Sequence, residues 1–231
     1  AAREAESRRH RRELERQNER LDEFASIVSH DLRNPLQVAT ARLEFAREEC
    51  DSDHLDAVAR SHDRMEALIE DLLTLGQEGK AVLDIEPVDL GEAARACWET
   101  VGATDAALVV ECETTVRADR SRLQQLLENL LANGVTHGTA EDRPGTDDAV
   151  TVRVGPLAEG SGFFVADDGP GIDDDDRDRV FDSGYSTRSE GTGFGLSIVD
   201  QIADAHGWSV ALVDSETGGA RFEIRGVETV E

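Results

Sequence analysis

Apolar residues recur at coiled-coil spacing along the first third of the chain. Leu14, Leu21, Phe24 and Val28 open the stripe, and Leu32, Leu36, Ala39, Leu43 and Ala46 continue it. A polar break at Glu49, Cys50, Asp51, Ser52 and Asp53 ends this helix and offers N-cap residues for the next. The second helix carries Leu55, Val58, Met65, Ile69 and Leu72 on one face. Two helices joined by a short turn make a hairpin with too little core to stand alone. Two copies pairing into a four-helix bundle would supply the missing core, so the pattern predicts a homodimer. Within this region we expect a coiled-coil helix over residues 1–20 and a dimerisation unit over 21–78.

Residues 79–86 break the periodicity and are expected to be a linker. From residue 87 to 231 helical and strand patterns alternate. Helices are predicted over Pro87–Val101, Asp119–His137 and Phe194–His206. Strands are predicted over Ala107–Glu111, Val150–Val154, Gly162–Ala166, Trp208–Val213 and Arg221–Ile224. A polar loop from Asp173 to Gly193 separates the third strand from the last helix. The expected class is α+β, with helices on one face of a sheet.

Composition narrows what such a chain contacts. The net charge is −26, and Lys80 is the only lysine. That charge argues against nucleic acid or an anionic membrane as a general partner. The acids are spread among apolar periodic segments, which fits a folded protein with an acidic, hydrated surface suited to very high salt. No apolar run approaches the roughly 20 residues of a membrane span. The charged, helical start resembles the middle of a longer protein, so membrane contact is expected only through an upstream segment, if at all. Cys50, Cys97 and Cys112 lack CxxC spacing and suit a reducing cytoplasm, as small buried hydrophobes.

Two histidines separate on a helical wheel. Val28, Leu32, Pro35, Leu36, Ala39 and Leu43 share one face of the first helix, and His30 points to the other, beside Asn34 and Gln37. The adjacent Asp31 carboxylate can hold one ring proton and make the other nitrogen a better nucleophile. A solvated surface histidine is the plain alternative. His62 falls within the apolar stripe of the second helix, which suits a core role. Pro35 removes a helical hydrogen bond at a cost of about 3 kcal/mol, either as a hinge one turn after His30 or as a tolerated irregularity.

Three later segments carry candidate ligand chemistry. In Leu126–Gly134, Asn129 and Asn133 stand one turn apart at the border of a leucine arc. Their amide oxygens suit a hydrated Mg²⁺ that bridges phosphates, or they are two surface amides. In Val165–Ile172 a strand ends in Asp167 and a glycine turn. That carboxylate suits an exocyclic amine such as adenine's, or the segment is a plain turn. Gly191, Thr192, Gly193, Phe194, Gly195 and Leu196 open a helix, where backbone N–H groups cradle phosphate. This is not the GxGxxG dinucleotide fingerprint. The loop Asp173–Glu190 is expected to act as a lid carrying Phe181, Tyr185, Thr187 and Arg188, with its acidic run, Asp173–Asp176, as a solvated outer face.

Five segments, in order, resemble the boxes of the sensor histidine kinases of two-component systems. His30–Leu36 resembles the H box, Asn129–Asn133 the N box and Asp167–Gly171 the G1 box. Val180–Asp182 resembles the F box and Gly191–Gly195 the G2 box. The resemblance covers roughly residues 15 to 226. It implies a HisKA-type dimerisation and phosphotransfer hairpin, then an ATP-binding α/β sandwich of the Bergerat (GHKL) type. It implies that His30 takes the γ-phosphate of Mg-ATP with Asp31 as base, and passes it to an aspartate in the receiver domain of a response regulator. Asn34 matches the position that serves phosphatase activity toward that regulator. Asn133 and Asn129 would bind Mg²⁺, and Asp167 would read adenine. The resemblance adds His137, Gly169, Gly171 and Ile172 to the nucleotide contacts, and it implies a cytoplasmic catalytic portion. Where relatives often carry Lys after the second asparagine, Thr136 stands here, and Arg188 is the candidate to compensate. The competing readings are a non-catalytic, nucleotide-binding dimeric scaffold and a related ATPase coupled to movement.

Overall fold

The computed structural model describes residues 32–33, 35–50, 52–76, 84–101, 106–111, 113–138, 149–158, 161–186 and 191–230. His30, Asp31, Asn34, Cys112, Thr187 and Arg188 lie outside the described residues, as does the expected coiled coil over 1–20. The chain divides into two compact units. The first spans Ala1–Gly79 and Ser186–Thr192, and the second Lys80–Tyr185 and Gly193–Glu231.

In the first unit, helix α1 (residues 35–49) is followed by α2 (Asp53–Gly76). Ser52 makes the turn: its carbonyl accepts the N–H groups of Leu55 and Asp56, and its Oγ accepts that of His54. Across the hairpin, Leu36, Leu43 and Ile69 are buried. His62 is half-buried and shares a 3.3 Å hydrogen bond with Thr40 Oγ1, so it sits inside the hairpin as its wheel position predicts. Arg47 pairs with Asp56 at 2.9 Å near the turn. Leu32, Val38, Phe45, Val58 and Met65 remain exposed, Val38 and Phe45 at 63%. The single hairpin therefore covers only part of the apolar stripe.

The second unit is an α+β domain. Strand β1 (Ile85–Asp89) leads into α3 (Leu90–Val101), then β2 (Ala106–Val110), β3 (Thr115–Asp119) and α4 (Arg120–Gly138). Strands β4 (Val150–Pro156) and β5 (Gly162–Asp167) follow, then α5 (Gly195–His206), β6 (Ser209–Asp214), β7 (Ala220–Arg225) and β8 (Thr229–Val230). The main sheet runs β2-β4-β5-β7-β6, parallel at β2/β4 and antiparallel elsewhere. A second, antiparallel sheet runs β1-β3-β8. Helix α4 lies against β4 and β5, α5 against β6, and α3 against β2 and α4. Leu123, Leu126, Leu127, Leu130 and Leu131 of α4 are all buried. At about 1.5–3 kcal/mol each, they hold this helix on the sheet.

The small sheet corrects the expected element boundaries. Pro87 and Val88 lie in a strand rather than a helix, and residues 85 and 86 belong to β1 rather than to a linker. Val88 is fully buried opposite Val116 of β3. Proline is tolerated because β1 is an edge strand. The helix starts where Asp89 Oδ1 accepts the N–H of Glu92 at 2.7 Å. Among the cysteines, Cys97 is buried, with its thiol pushed up to about 11 by burial, whereas Cys50 is exposed, contrary to expectation. Among the described residues, no helix is long and apolar enough to cross a membrane.

Candidate functional site

Helix α4 carries the Asn129–Asn133 segment and meets residues of the other two candidate segments. Its start is fixed by Asp119, whose Oδ1 accepts the N–H groups of Ser121 (3.1 Å) and Arg122 (3.2 Å) and the Ser121 hydroxyl (2.7 Å). At its middle, Asn129 donates from Nδ2 to the carbonyl of Gln125 at 2.9 Å. That bond orients the amide, so Oδ1 faces Gly195, the first residue of α5. A Cβ at Gly195 would lie 2.9 Å from this oxygen. Asn133 follows one turn later, half-buried. Near its end, α4 reaches the Asp167 segment through glycines. A Cβ at Gly134 would come within 3.0 Å of Val152 and 3.6 Å of Asp167 Cβ, and one at Gly138 within 2.2 Å of Val150.

Asp167 ends β5 and is 8% exposed. Its Oδ1 accepts the N–H of Gly169 at 2.9 Å and that of Ala220 at 3.2 Å. Among the described residues both bonds fall on Oδ1, which leaves Oδ2 as the oxygen available to a ligand. Burial raises the carboxyl above the ordinary carboxylate range. The two N–H groups oppose that rise and the charge of Asp168 adds to it. Gly169 fits only as glycine: a Cβ would meet Asp167 Oδ1 at 2.9 Å and Gly138 Cα at 3.0 Å. The His137 carbonyl borders the same spot at 3.5 Å. Gly171, at φ +80°, faces the carbonyl of Gly219. Neighbouring Asp168 turns away from this cluster and accepts the Thr151 N–H at 2.9 Å.

The glycines before α5 are held by backbone. Gly184 donates its N–H to the carbonyl of Gly193 at 2.9 Å, and both have φ near +80°. Phe194 precedes the helix without a side-chain cap; its carbonyl accepts Ser197 Oγ at 2.8 Å and the Ile198 N–H at 2.9 Å. A helix start without a side-chain cap, as at Phe194, is the ordinary setting for a phosphate cradle. Leu196 in the first turn of α5 is half-exposed. Gly191 and Thr192 belong to the other compact unit.

The expected lid residues have partners of their own. The Phe181 ring packs edge-on against Phe222 of β7, 6.4 Å between centroids. The Tyr185 hydroxyl donates to Asp176, and the Arg179 guanidinium lies 4.6 Å over its ring. Asp173, Asp174 and Asp175 are exposed as expected, but Asp176 is half-buried and committed to Tyr185, so the acidic run is not solvated throughout. Arg177 fastens the same segment to Asp174, to Asp214 of β6 and to the Ile172 carbonyl. What the amino-acid pattern missed is the turn before β7. The Gly218–Gly219 pair reads as a turn signature, but nothing local shows that it abuts Asp167.

Residues 5–80 match the family model described as "His Kinase A (phospho-acceptor) domain". Residues 118–228 match that of "Histidine kinase-, DNA gyrase B-, and HSP90-like ATPase". The chain belongs to the histidine kinases, with a phospho-acceptor domain followed by an ATPase-type domain. It is 34% identical over 220 residues to the methanogenesis regulatory histidine kinase FilI of Methanothrix harundinacea (strain 6Ac), covering 89% of this chain and 24% of that protein. It is 31% identical over 229 residues to the signal transduction histidine-protein kinase AfsQ2 of Streptomyces coelicolor, covering 87% and 41%. The crystal structure of full-length ShkA in complex with AMPPNP is similar, with a TM-score of 0.66 and 26% identity over 90% of this chain and 46% of that one. The chain thus spans less than half the length of these relatives.

Proposed function

We propose that the second unit binds Mg-ATP and that the chain phosphorylates its own His30. The observation that carries this reading is Asp167: a nearly buried carboxylate with one oxygen clamped by two backbone N–H groups and the other available as an acceptor. An exocyclic adenine amine supplies the donor such an acceptor needs. ShkA was crystallised with an ATP analogue, which supports the same ligand class.

Phosphates then belong at the start of α5, near Asn129. Among the described residues no cluster of three or more His, Cys, Asp or Glu is placed to hold a metal. The fitting donors are amide oxygens: Asn129, whose Oδ1 faces the start of α5, and Asn133 one turn on. Such hard, neutral oxygens suit an Mg²⁺ that keeps most of its ligands as water and phosphate. The ion would neutralise charge on the β- and γ-phosphates. An imidazole nitrogen of His30 attacks the γ-phosphorus, the bond to the β–γ bridging oxygen breaks, ADP leaves, and Asp31 takes the ring proton.

The phosphoryl group would pass from His30 to an aspartate in the receiver domain of a response regulator, and Asn34 would serve the separate hydrolysis that dephosphorylates that regulator. Pairing of two hairpins would cover Leu32, Val38, Phe45, Val58 and Met65, exposed in one chain, so a homodimer is the working form. A catalytic portion that consumes ATP works on the cytoplasmic side.

The test incubates the chain with γ-labelled ATP, Mg²⁺ and multimolar KCl. The expected label is acid-labile and base-stable, as a phosphoramidate is, and absent from His30→Ala. Label retained in that variant overturns the acceptor assignment. Binding of ATP without label at any salt concentration favours the non-catalytic scaffold.

A further inference from the structure

We propose that Gly219, in the turn between β6 and β7, is a positioning residue that aims the Asp167 carboxylate and so sets the base selectivity of the nucleotide site. This rests on the reading of Asp167 as the acceptor for adenine.

Ser215 N–H closes the turn on the Gly219 carbonyl at 3.1 Å, and Gly218 and Gly219 both take positive φ, +86° and +79°. The two glycines are otherwise unlike. Among the described residues, a Cβ at Gly218 would find only the Gly169 carbonyl, 3.9 Å away. A Cβ at Gly219 would lie 2.4 Å from Asp167 Oδ1, 2.5 Å from Asp167 O and 2.7 Å from Gly169 N. Two of those three atoms are backbone and cannot swing aside. The third is the carboxylate oxygen on which both orienting hydrogen bonds converge.

The close approach has a purpose in the hydrogen bonding. It lets the N–H of the next residue, Ala220, reach Asp167 Oδ1 from the neighbouring strand β7. With Oδ1 held by Gly169 and Ala220, the carboxylate plane is fixed and Oδ2 faces the ligand. A side chain at 219 must push Oδ1 off this pair of donors, and the carboxylate then turns. Adenine differs from hypoxanthine at this contact by an amine donor in place of a carbonyl acceptor. A correctly aimed carboxylate favours the former and repels the latter. A turned one loses the distinction before it loses the nucleotide, because the phosphates are held elsewhere.

The experiment measures ATP and ITP affinities for the chain in high salt, by competition with a fluorescent ATP analogue. Gly218→Ala and Gly219→Ala carry the same left-handed strain, so their difference isolates the contact with Asp167. Wild type and Gly218→Ala are expected to favour ATP by about 10- to 100-fold, as one charge-assisted hydrogen bond gives. In Gly219→Ala the ratio is expected to fall to within about threefold. A Gly219→Ala ratio equal to that of Gly218→Ala overturns the proposal. Should Gly219→Ala fail to fold, replacing the Ala220 amide by an ester through semisynthesis deletes the N–H donor without adding an atom; collapse of its ratio supports the proposal and an unchanged ratio overturns it. Asp167→Asn separates the two levels. If wild type shows no preference, or Asp167→Asn keeps it, the adenine reading itself falls and takes this proposal with it.

Discussion

His206, in the last turn of α5, accepts the backbone N–H of Asp119 through Nε2 at 3.1 Å. Its Nδ1 lies 2.8 Å from the Ile202 carbonyl, so the ring is neutral with its proton on Nδ1. Trp208 stacks on it with centroids 4.1 Å apart. Asp119 in turn caps α4. One imidazole therefore joins the end of the helix that begins with Gly195 to the start of the helix that carries Asn129 and Asn133.

This joint is expected to fail in acid. Burial lowers the His206 pKa below 6.5; the Ile202 carbonyl and the Asp119 carboxylate oppose that shift, and Arg122 adds to it. The unfolded chain thus binds the proton more readily than the folded one, and stability falls as pH drops from about 6.5 through the lower folded-state value. Denaturant melts between pH 7.5 and 5 should show the loss. His206→Leu is expected to be less stable at neutral pH by about 1–3 kcal/mol, because the Asp119 N–H loses its acceptor. Its profile through this range should be flatter than that of wild type. An equal slope in the variant would remove His206 as the cause.

Asp167 works in the opposite sense. Its folded-state pKa is raised, chiefly by burial. The folded domain holds this proton more tightly than the unfolded chain, so ionisation costs stability as pH rises through and above the ordinary carboxylate range. Asp167→Asn removes that cost while an amide oxygen still accepts from Gly169 and Ala220. Its thermal midpoint at pH 7 is therefore expected to equal or exceed that of wild type. Its ATP affinity should drop by about tenfold or more, since an amide N–H then faces the adenine amine. A variant that is both less stable and fully able to bind ATP would contradict the argument on both counts.

The charge of −26 predicts a salt requirement. Like charges meet even within one helix: Asp200 and Asp204 share a face of α5, and Asp200 has its pKa pushed up by burial and then by Asp204. Screening shortens from about 10 Å at 0.1 M salt to about 3 Å at 1 M. The thermal midpoint should climb steadily with KCl over that range and beyond. A midpoint independent of KCl would end the high-salt reading of the composition.

Much of this domain was legible in the amino-acid pattern for physical reasons. The leucines of α4 repeat at helical spacing because one face must be buried, β4 alternates apolar and polar residues, and β5 is an apolar run because it is a central strand buried on both faces. The small sheet was not legible. Strand β3 has five residues and β8 two, and Pro87 within Ile85–Asp89 argues locally for a helix start. The candidate residues Asn129, Asp167, Gly169 and Gly195 stood out because glycine and amide positions interrupt apolar runs. The partners of Phe181 and Asp167 did not, because Phe222 and Ala220 are reached only through the sheet; Ala220 lies 53 residues from Asp167. Local pattern identifies a chemically apt side chain, but tertiary contact decides which way it points.

The clasp between Gly184 and Gly193 gives a last test within the domain. Among the described residues, alanine at Gly184 meets only Phe194 Cε1 at 4.0 Å, so its penalty is the left-handed strain at φ +82°, about 1–2 kcal/mol. Alanine at Gly193 carries the same strain, and its Cβ also comes within 2.6 Å of Gly184 C, 2.8 Å of Gly184 O and 3.0 Å of Gly184 Cα. Those neighbours are backbone, so the two strands of the clasp must part. Parting breaks the Gly184 N–H bond to the Gly193 carbonyl and releases the residues that lead into the first turn of α5. The expected order is therefore wild type, then Gly184→Ala, then Gly193→Ala, for both thermal stability and ATP affinity. The gap between the variants should be larger in affinity than in stability, because the damage falls where the phosphates are held. Equal affinities in the two variants, measured by titration with ATP and Mg²⁺, would show that the clasp does not shape the cradle.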